Sequence, residues 1–339
     1  MNGRVFETGC SIMKKLAVTA LALAMLMAGC SSEPVATVGD IEIGKGEFNF
    51  YLSSIKDEMS DTELQTEEDW QNKEIEGKKA IDVAKEQAMD NAVVNALYIE
   101  VAEAAGLVLT QEEEDYVTTT KDRFVASYGS ESAYKKFLKE NKISDDFIDM
   151  MCRSTVYYQK IGSEVTKDLV IEETDKKAFF EEHSTEFDSE IWKAKHILIS
   201  TKDAETDQPR TAEEIAAAKS LAEELLARAK NGEDFDALMK EYSEDPGLET
   251  SPDGYVFGRG EMVPEFENAT VSAGIGEIAF CESDFGYHII MRMPLGYDDV
   301  QDTIENRLVA DLIDEQVMAW VEEFGIVVTK NEKLLSEIK

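Results

Sequence analysis

The chain has 339 residues, room for two or three domains, and its 43% hydrophobic content suffices for real cores, which excludes wholesale disorder. It carries 71 acidic against 34 basic residues, a formal net charge of −37. That balance excludes nucleic acid as a partner, because phosphate binding needs clustered Lys and Arg. It also disfavours docking on anionic lipid through a basic patch, and it favours attraction to cationic segments or metal ions.

Met13-Lys14-Lys15 reads as a natural start, with residues 1–12 an upstream extension. The apolar run Leu16 to Ala28 is too short for a final membrane span. It ends in Leu26-Met27-Ala28-Gly29-Cys30, followed by Ser31-Ser32. Small residues just before a cysteine resemble a bacterial lipoprotein signal, with Met27 where Leu is usual. The resemblance implies that residues 1–29 are a leader and that Cys30 is acylated, as in bacterial lipoproteins as a class. An ordinary signal peptide with an incidental cysteine is the alternative. One acyl chain anchors only marginally, so stable attachment takes at least two. Cys152 and Cys281 then remain; a bridge between them is open, but two cysteines make no framework. Three scattered histidines and no Cys-x-x-Cys leave no metal-ligand spacing.

Val35 to Ile43 predicts a hairpin turning at Gly39-Asp40, and a helix follows over about 45–59. The acidic stretch 57–76 reads as a loop with Trp70 as its one anchor. Apolar residues at helical spacing predict a long helix over about 78–105, stopped by Gly106, then helices over about 111–127, 130–140 and 144–168. Their broad apolar faces (Phe124, Tyr128, Phe137, Met150 and Met151 among them) read either as a helical core or as a groove for unfolded chains, since Met and aromatic side chains adapt to varied partners.

A short helix near 174–183 places His183 at its end, as a cap or surface residue. Trp192 to Ile199 reads as a strand, and Thr211-Ala212-Glu213-Glu214 as a capping box opening a helix that stops before Gly232. A second short helix carries Phe235, Leu238, Met239 and Tyr242. Then come a strand at Tyr255 to Phe257, a short helix over about 264–269 and a last strand at Tyr287 to Met293. The tail from Val300 to Phe324 is amphipathic, with a strand at Gly325 to Val328. A lone helix cannot bury such a face, so it should return to the N-terminal helices.

Three ordered motifs carry the chemistry: Lys195-His196-Ile197-Leu198-Ile199, Phe257-Gly258-Arg259-Gly260-Glu261-Met262-Val263-Pro264-Glu265-Phe266, and Gly286-Tyr287-His288-Ile289-Ile290. Over roughly residues 190–295 the chain resembles the parvulin family of peptidyl-prolyl isomerases. The resemblance implies a catalytic set of His196, Asp245, Ser283 and His288, with the histidines side by side in a buried network. It implies substrate-binding residues Met262 and Phe266, which grip the proline, and Phe285, which walls the pocket. The reaction is rotation about an X-Pro amide with a barrier of ~18–20 kcal/mol; it breaks no bond, so no nucleophile, metal or cofactor is implied. Each residue also has a plain structural reading: the histidines as sheet braces, Asp245 as a turn residue before Pro246, Met262 and Phe266 as core.

The expected fold is α+β: a small mixed sheet with surrounding helices, plus a mostly helical chaperone-like domain built from both ends of the chain, as in PrsA- and SurA-type foldases. The expected boundaries are 1–29 leader, 30–187 helical, 188–295 parvulin and 296–339 returning tail. The resemblance implies an exported, lipid-anchored foldase acting on unfolded exported proteins with X-Pro bonds. A binding-only chaperone with a degenerate parvulin domain is the rival, and the oligomeric state, a homodimer included, stays open. The departure behind that rival is Ser251-Pro252-Asp253-Gly254-Tyr255-Val256, where many relatives carry Gly-Gly-Asp-Leu-Gly. Lys202 and Arg210 lie among acidic residues, which speaks against specificity for phosphorylated Ser/Thr-Pro.

Overall fold

The computed structural model describes residues 12, 16, 19–20, 33–60, 64–75, 77–203, 206 and 208–338. Cys30 and most of the leader lie outside the described residues. The chain forms two compact units: residues 1–170 with 307–339, and residues 171–306.

In the first unit the strands Ala36–Val38 and Ile41–Ile43 pair antiparallel around Gly39, whose φ of +53° suits a residue without a side chain. Val328–Lys330 pairs antiparallel with Ala36–Val38, and Thr19–Ala20 lies parallel to its other edge. The tail strand thus begins three residues later than the sequence suggests. Gly325, at φ +63°, first ends the helix Gln301–Phe324, and only Val328 reaches the register opposite Val38. The helix Ala80–Ala104 is the axis, burying small residues such as Ala84, Ala88, Ala92 and Ala96 that let neighbours approach. Helices Lys45–Met59, Gln111–Ser127, Glu131–Asn141 and Asp145–Thr166 belong to the same unit, and the last three open on the hydroxyl caps Thr110, Ser130 and Ser144. From the tail, Ile313, Val317, Val321 and Val328 join this core.

The stretch read as a loop contains a helix, Glu67–Asn72. Six residues are too few for a periodic pattern. It is held by the reciprocal Thr66–Asp69 cap, by burial of Trp70, and by Lys56 Nζ lying 5.2 Å from the Trp70 ring.

The second unit is built on a four-stranded sheet in the order Tyr255–Gly258, Ile191–Ser200, Gly286–Met293, Ile278–Ser283. Every pairing in it is antiparallel, where a mixed sheet was expected. The helical connections run from the central strand to one edge and from that edge to the other, each reversing the chain's direction, and the last two strands form a hairpin. Alternation along the strands sorts the two faces. Ile197, Ile199, Tyr287 and Ile289 pack with Ala218, Ala222, Leu225 and Leu238 from helices Ala212–Lys230 and Phe235–Tyr242. Trp192, Ala194, Phe257 and Ile290 pack on the other face with Phe266 from helix Pro264–Ser272. Cys152 and Cys281 are free thiols.

Candidate active site

The register of the two central strands places the histidines. His196 pairs with Ile290 and His288 with Leu198, two positions along, so both imidazoles project from the Phe266 face. Their rings lie nearly parallel, 11° apart, with centroids 5.3 Å apart, and the Nδ1 atoms are 3.1 Å apart. Both residues are buried, at 9% and 4% exposure. Phe266 stands edge-on to each ring, 5.1 Å from His196 and 5.6 Å from His288.

Asp245 arrives from outside the sheet. The edge strand Tyr255–Gly258 covers the central strand only from Ile191 to Ala194. Beyond that point the segment after helix Phe235–Tyr242 takes over: Glu244 N–H donates to Leu198 O at 2.8 Å, and Ser243 Oγ accepts from Leu198 N–H at 3.1 Å. This anchors Asp245 beside His196, whose Nε2 is 2.9 Å from Asp245 Oδ2. Asp245 also caps the turn Pro246–Glu249, its Oδ1 accepting from Gly247 N–H at 3.1 Å. On the far side, Ser283 Oγ lies 2.8 Å from His288 Nε2 and accepts from Phe285 N–H. Ser283, His288, His196 and Asp245 thus form one hydrogen-bonded line across three strands and a loop.

Met262 packs partly buried in the cluster around Phe266. Phe285 does not join that cluster. It sits at the tip of the hairpin between the last two strands, 49% exposed, with Lys202 Nζ 5.2 Å from its ring. His183 is remote from the histidine line in contacts: it stacks on Phe179 and bonds Glu186. Among the described residues no group of His, Cys, Asp and Glu could hold a metal.

A family model described as a PPIC-type PPIASE domain matches residues 179–292, and one described as a SurA-like N-terminal domain matches residues 8–162. The foldase protein PrsA of Caldanaerobacter subterraneus subsp. tengcongensis is 27% identical over 337 residues, 94% of this chain and 97% of that protein. A crystal structure of the peptidylprolyl isomerase PrsA from Bacillus anthracis covers 70% of this chain and 97% of its own at 20% identity, with a TM-score of 0.26. The foldase protein PrsA 4 of Bacillus cereus is 31% identical over 199 residues, 52% of this chain and 69% of that protein. The chain belongs to the PrsA foldase family. It is a parvulin-type peptidyl-prolyl isomerase with a SurA-like helical unit.

Electrostatics sets the charge of Asp245 and of His288 in this PrsA-type centre. Burial alone would push Asp245 up, but hydrogen bonds from His196, Tyr255 and Gly247 N–H outweigh it and hold the carboxyl at about 2. It is therefore an anion at neutral pH and can only accept, so His196 Nε2 carries a proton. Burial first, and the His196 charge second, push His288 down to about 4 against an opposing pull from Asp245. His288 is thus neutral at pH 7. A neutral His288 carries one ring proton for its two contacts, His196 Nδ1 and Ser283 Oγ. Cys281, opposite His288 in the sheet, is no thiolate: burial and then Glu265 push it up to about 11.

One residue of the centre was not singled out from the sequence. Tyr255 donates its hydroxyl to Asp245 Oδ2 at 2.7 Å, and burial followed by that bond raises its phenol. The available signal was the altered stretch 251–256, which carries an aromatic residue into the edge strand.

Proposed function

We propose that this PrsA-family chain is exported, anchored by lipid on Cys30, and isomerises X-Pro bonds of secreted or envelope proteins, with chaperone-like holding of unfolded clients. His196, Asp245, Ser283 and His288 form its polar line, and Met262, Phe266 and Phe285 receive the prolyl residue, Phe285 from the rim. The observation that carries this reading is the unbroken Ser283-to-Asp245 line with Phe266 edge-on to both imidazoles.

A planar amide is more polar than a twisted one, because resonance moves negative charge onto the carbonyl oxygen. An apolar wall of Met262 and Phe266 strips water from that polar ground state. A fixed carboxylate near the carbonyl oxygen disfavours the planar form further. Reaching milliseconds from an uncatalysed ~10–100 s requires about 10⁴-fold, ~5–6 kcal/mol. Partly buried Phe124, Tyr128, Phe137, Met150 and Met151 in the helical unit supply adaptable apolar contacts for clients. Among the described residues no helix is long and apolar enough to cross a membrane.

The test is X-Pro exchange in an unphosphorylated peptide with the full-length protein. Met262→Ala is expected to raise KM roughly 10-fold through lost apolar contact. Asp245→Ala is expected to lower kcat roughly 100-fold. Wild-type rates in both variants would place the site elsewhere. For anchoring, Cys30→Ser should abolish incorporation of labelled palmitate; undiminished labelling would refute the lipid on Cys30.

A further inference from the structure

The segment that departs from the family pattern delivers a phenol to the carboxylate of the centre. Tyr255 Oη and His196 Nε2 both donate to Asp245 Oδ2, at 2.7 and 2.9 Å, while Gly247 N–H takes Oδ1 at 3.1 Å. The Tyr255 ring also stands edge-on to His196, with centroids 5.6 Å apart and planes at 73°. We propose that Tyr255 is a positioning residue of the isomerase, clamping the Asp245 carboxylate in one orientation against His196 so that its charge faces the substrate amide in a fixed direction. The inference rests on the reading of Asp245 given above and adds a residue to it.

The surrounding backbone is shaped to that hydroxyl. A Cβ on Gly247 would come within 1.8 Å of Tyr255 Oη, so the turn after Asp245 has room for the phenol only because position 247 is glycine. Gly254, at φ +97°, would bring a Cβ within 2.6 Å of Ala194 O, so the edge strand runs flush against the central strand just where Tyr255 follows. One glycine thus makes room for the hydroxyl, and the other lets the strand that carries it lie close to its neighbour. The titratable groups facing Asp245 are His196 on the central strand, Tyr255 on the edge strand and, one ring behind, His288 on the next strand.

Removing the hydroxyl leaves Oδ2 with His196 alone. The carboxylate then regains rotational freedom, and protonation becomes easier. The test compares the full-length protein with Tyr255→Phe and Asp245→Asn. It follows kcat and KM for an X-Pro peptide by magnetisation exchange across pH, together with carboxyl-carbon titration of Asp245. Tyr255→Phe is expected to lower kcat roughly 3- to 10-fold with KM nearly unchanged, the loss of one hydrogen bond. It should also move the acid limb of the profile and the Asp245 titration to higher pH. A mere pocket wall would instead move KM and leave the acid limb in place, and that result overturns the proposal. If Asp245→Asn is inactive while Tyr255→Phe is wild-type in both readouts, only this inference fails. If Asp245→Asn is itself wild-type, the reading of Asp245 fails and the inference with it. A measurement on the unaltered protein does not depend on any variant folding: a Tyr255 phenol titrating at its ordinary value overturns the clamp.

Discussion

Two imidazoles, a hydroxyl, a phenol and a carboxylate share one network of hydrogen bonds. His196 and His288 were legible because a histidine inside an apolar strand run needs a reason, and each run has one. Tyr255 was not legible: an aromatic residue in a strand is unremarkable until the register shows its hydroxyl reaching a carboxylate. Phe285 was placed by motif alone, and motif cannot distinguish a buried wall from a hairpin tip. The same groups set a pH dependence. His288 is neutral in the fold, with its value pushed from 6.5 down to about 4, so the unfolded chain binds its proton first as pH falls. Asp245 is held at about 2 against 3.8, so its contribution is present above 3.8 and lost as pH falls toward 2. Stability of the central unit should therefore decline from about pH 6.5 to 4 through His288, then again between about pH 4 and 2 through Asp245, the latter by about 1–2 kcal/mol. Urea titrations across this range should show both slopes, and His288→Gln should flatten the first. A slope unchanged by that substitution would assign it to other groups.

The central strand Ile191–Ser200 is the element on which the site depends. Its pairing with Gly286–Met293 aligns the histidines, and the edge strand stops at Ala194, leaving the room that Ser243 to Asp245 occupy. Alternating strand residues and the Thr211 cap were readable locally. The helix Glu67–Asn72 was not, because its stability comes from Trp70 burial. The hairpin that brings His288 back depends on Gly286. At φ +143°, a Cβ there would lie 2.3 Å from Ile199 O and 2.9 Å from Ser200 Cα. Gly286→Ala should cost roughly 2 kcal/mol or more, from strain and backbone clash together. Gly232→Ala, at φ +86° with nothing within 4 Å, should cost only the conformational strain, about 1 kcal/mol. Equal shifts in urea midpoint for the two would refute the clash.

Across the whole molecule the chain leaves the first unit, forms the second and returns. The tail from Arg307 supplies Ile313, Val317, Val321, Val328 and Ile338 to the first core and a strand to its sheet. At ~1.5–3 kcal/mol per buried side chain, these contribute on the order of 10 kcal/mol, comparable with the stability of an entire domain. Truncation after Asn306 should therefore abolish the calorimetric transition of the first unit while that of residues 171–306 persists; survival of both transitions would show the tail dispensable. The amphipathic tail announced that it needs a partner, because an isolated helix cannot bury one face. The sequence by itself determined the α+β class, the helices with strong periodicity and the ordered motifs of the isomerase, since these follow from local spacing and residue chemistry. Only the tertiary structure decided the antiparallel direction of the sheet, the hydrogen-bonded line that ends at Asp245, the place of Tyr255 in it and the exposed position of Phe285. Each of those depends on strand register and on distances between residues far apart in the chain, which no local pattern encodes.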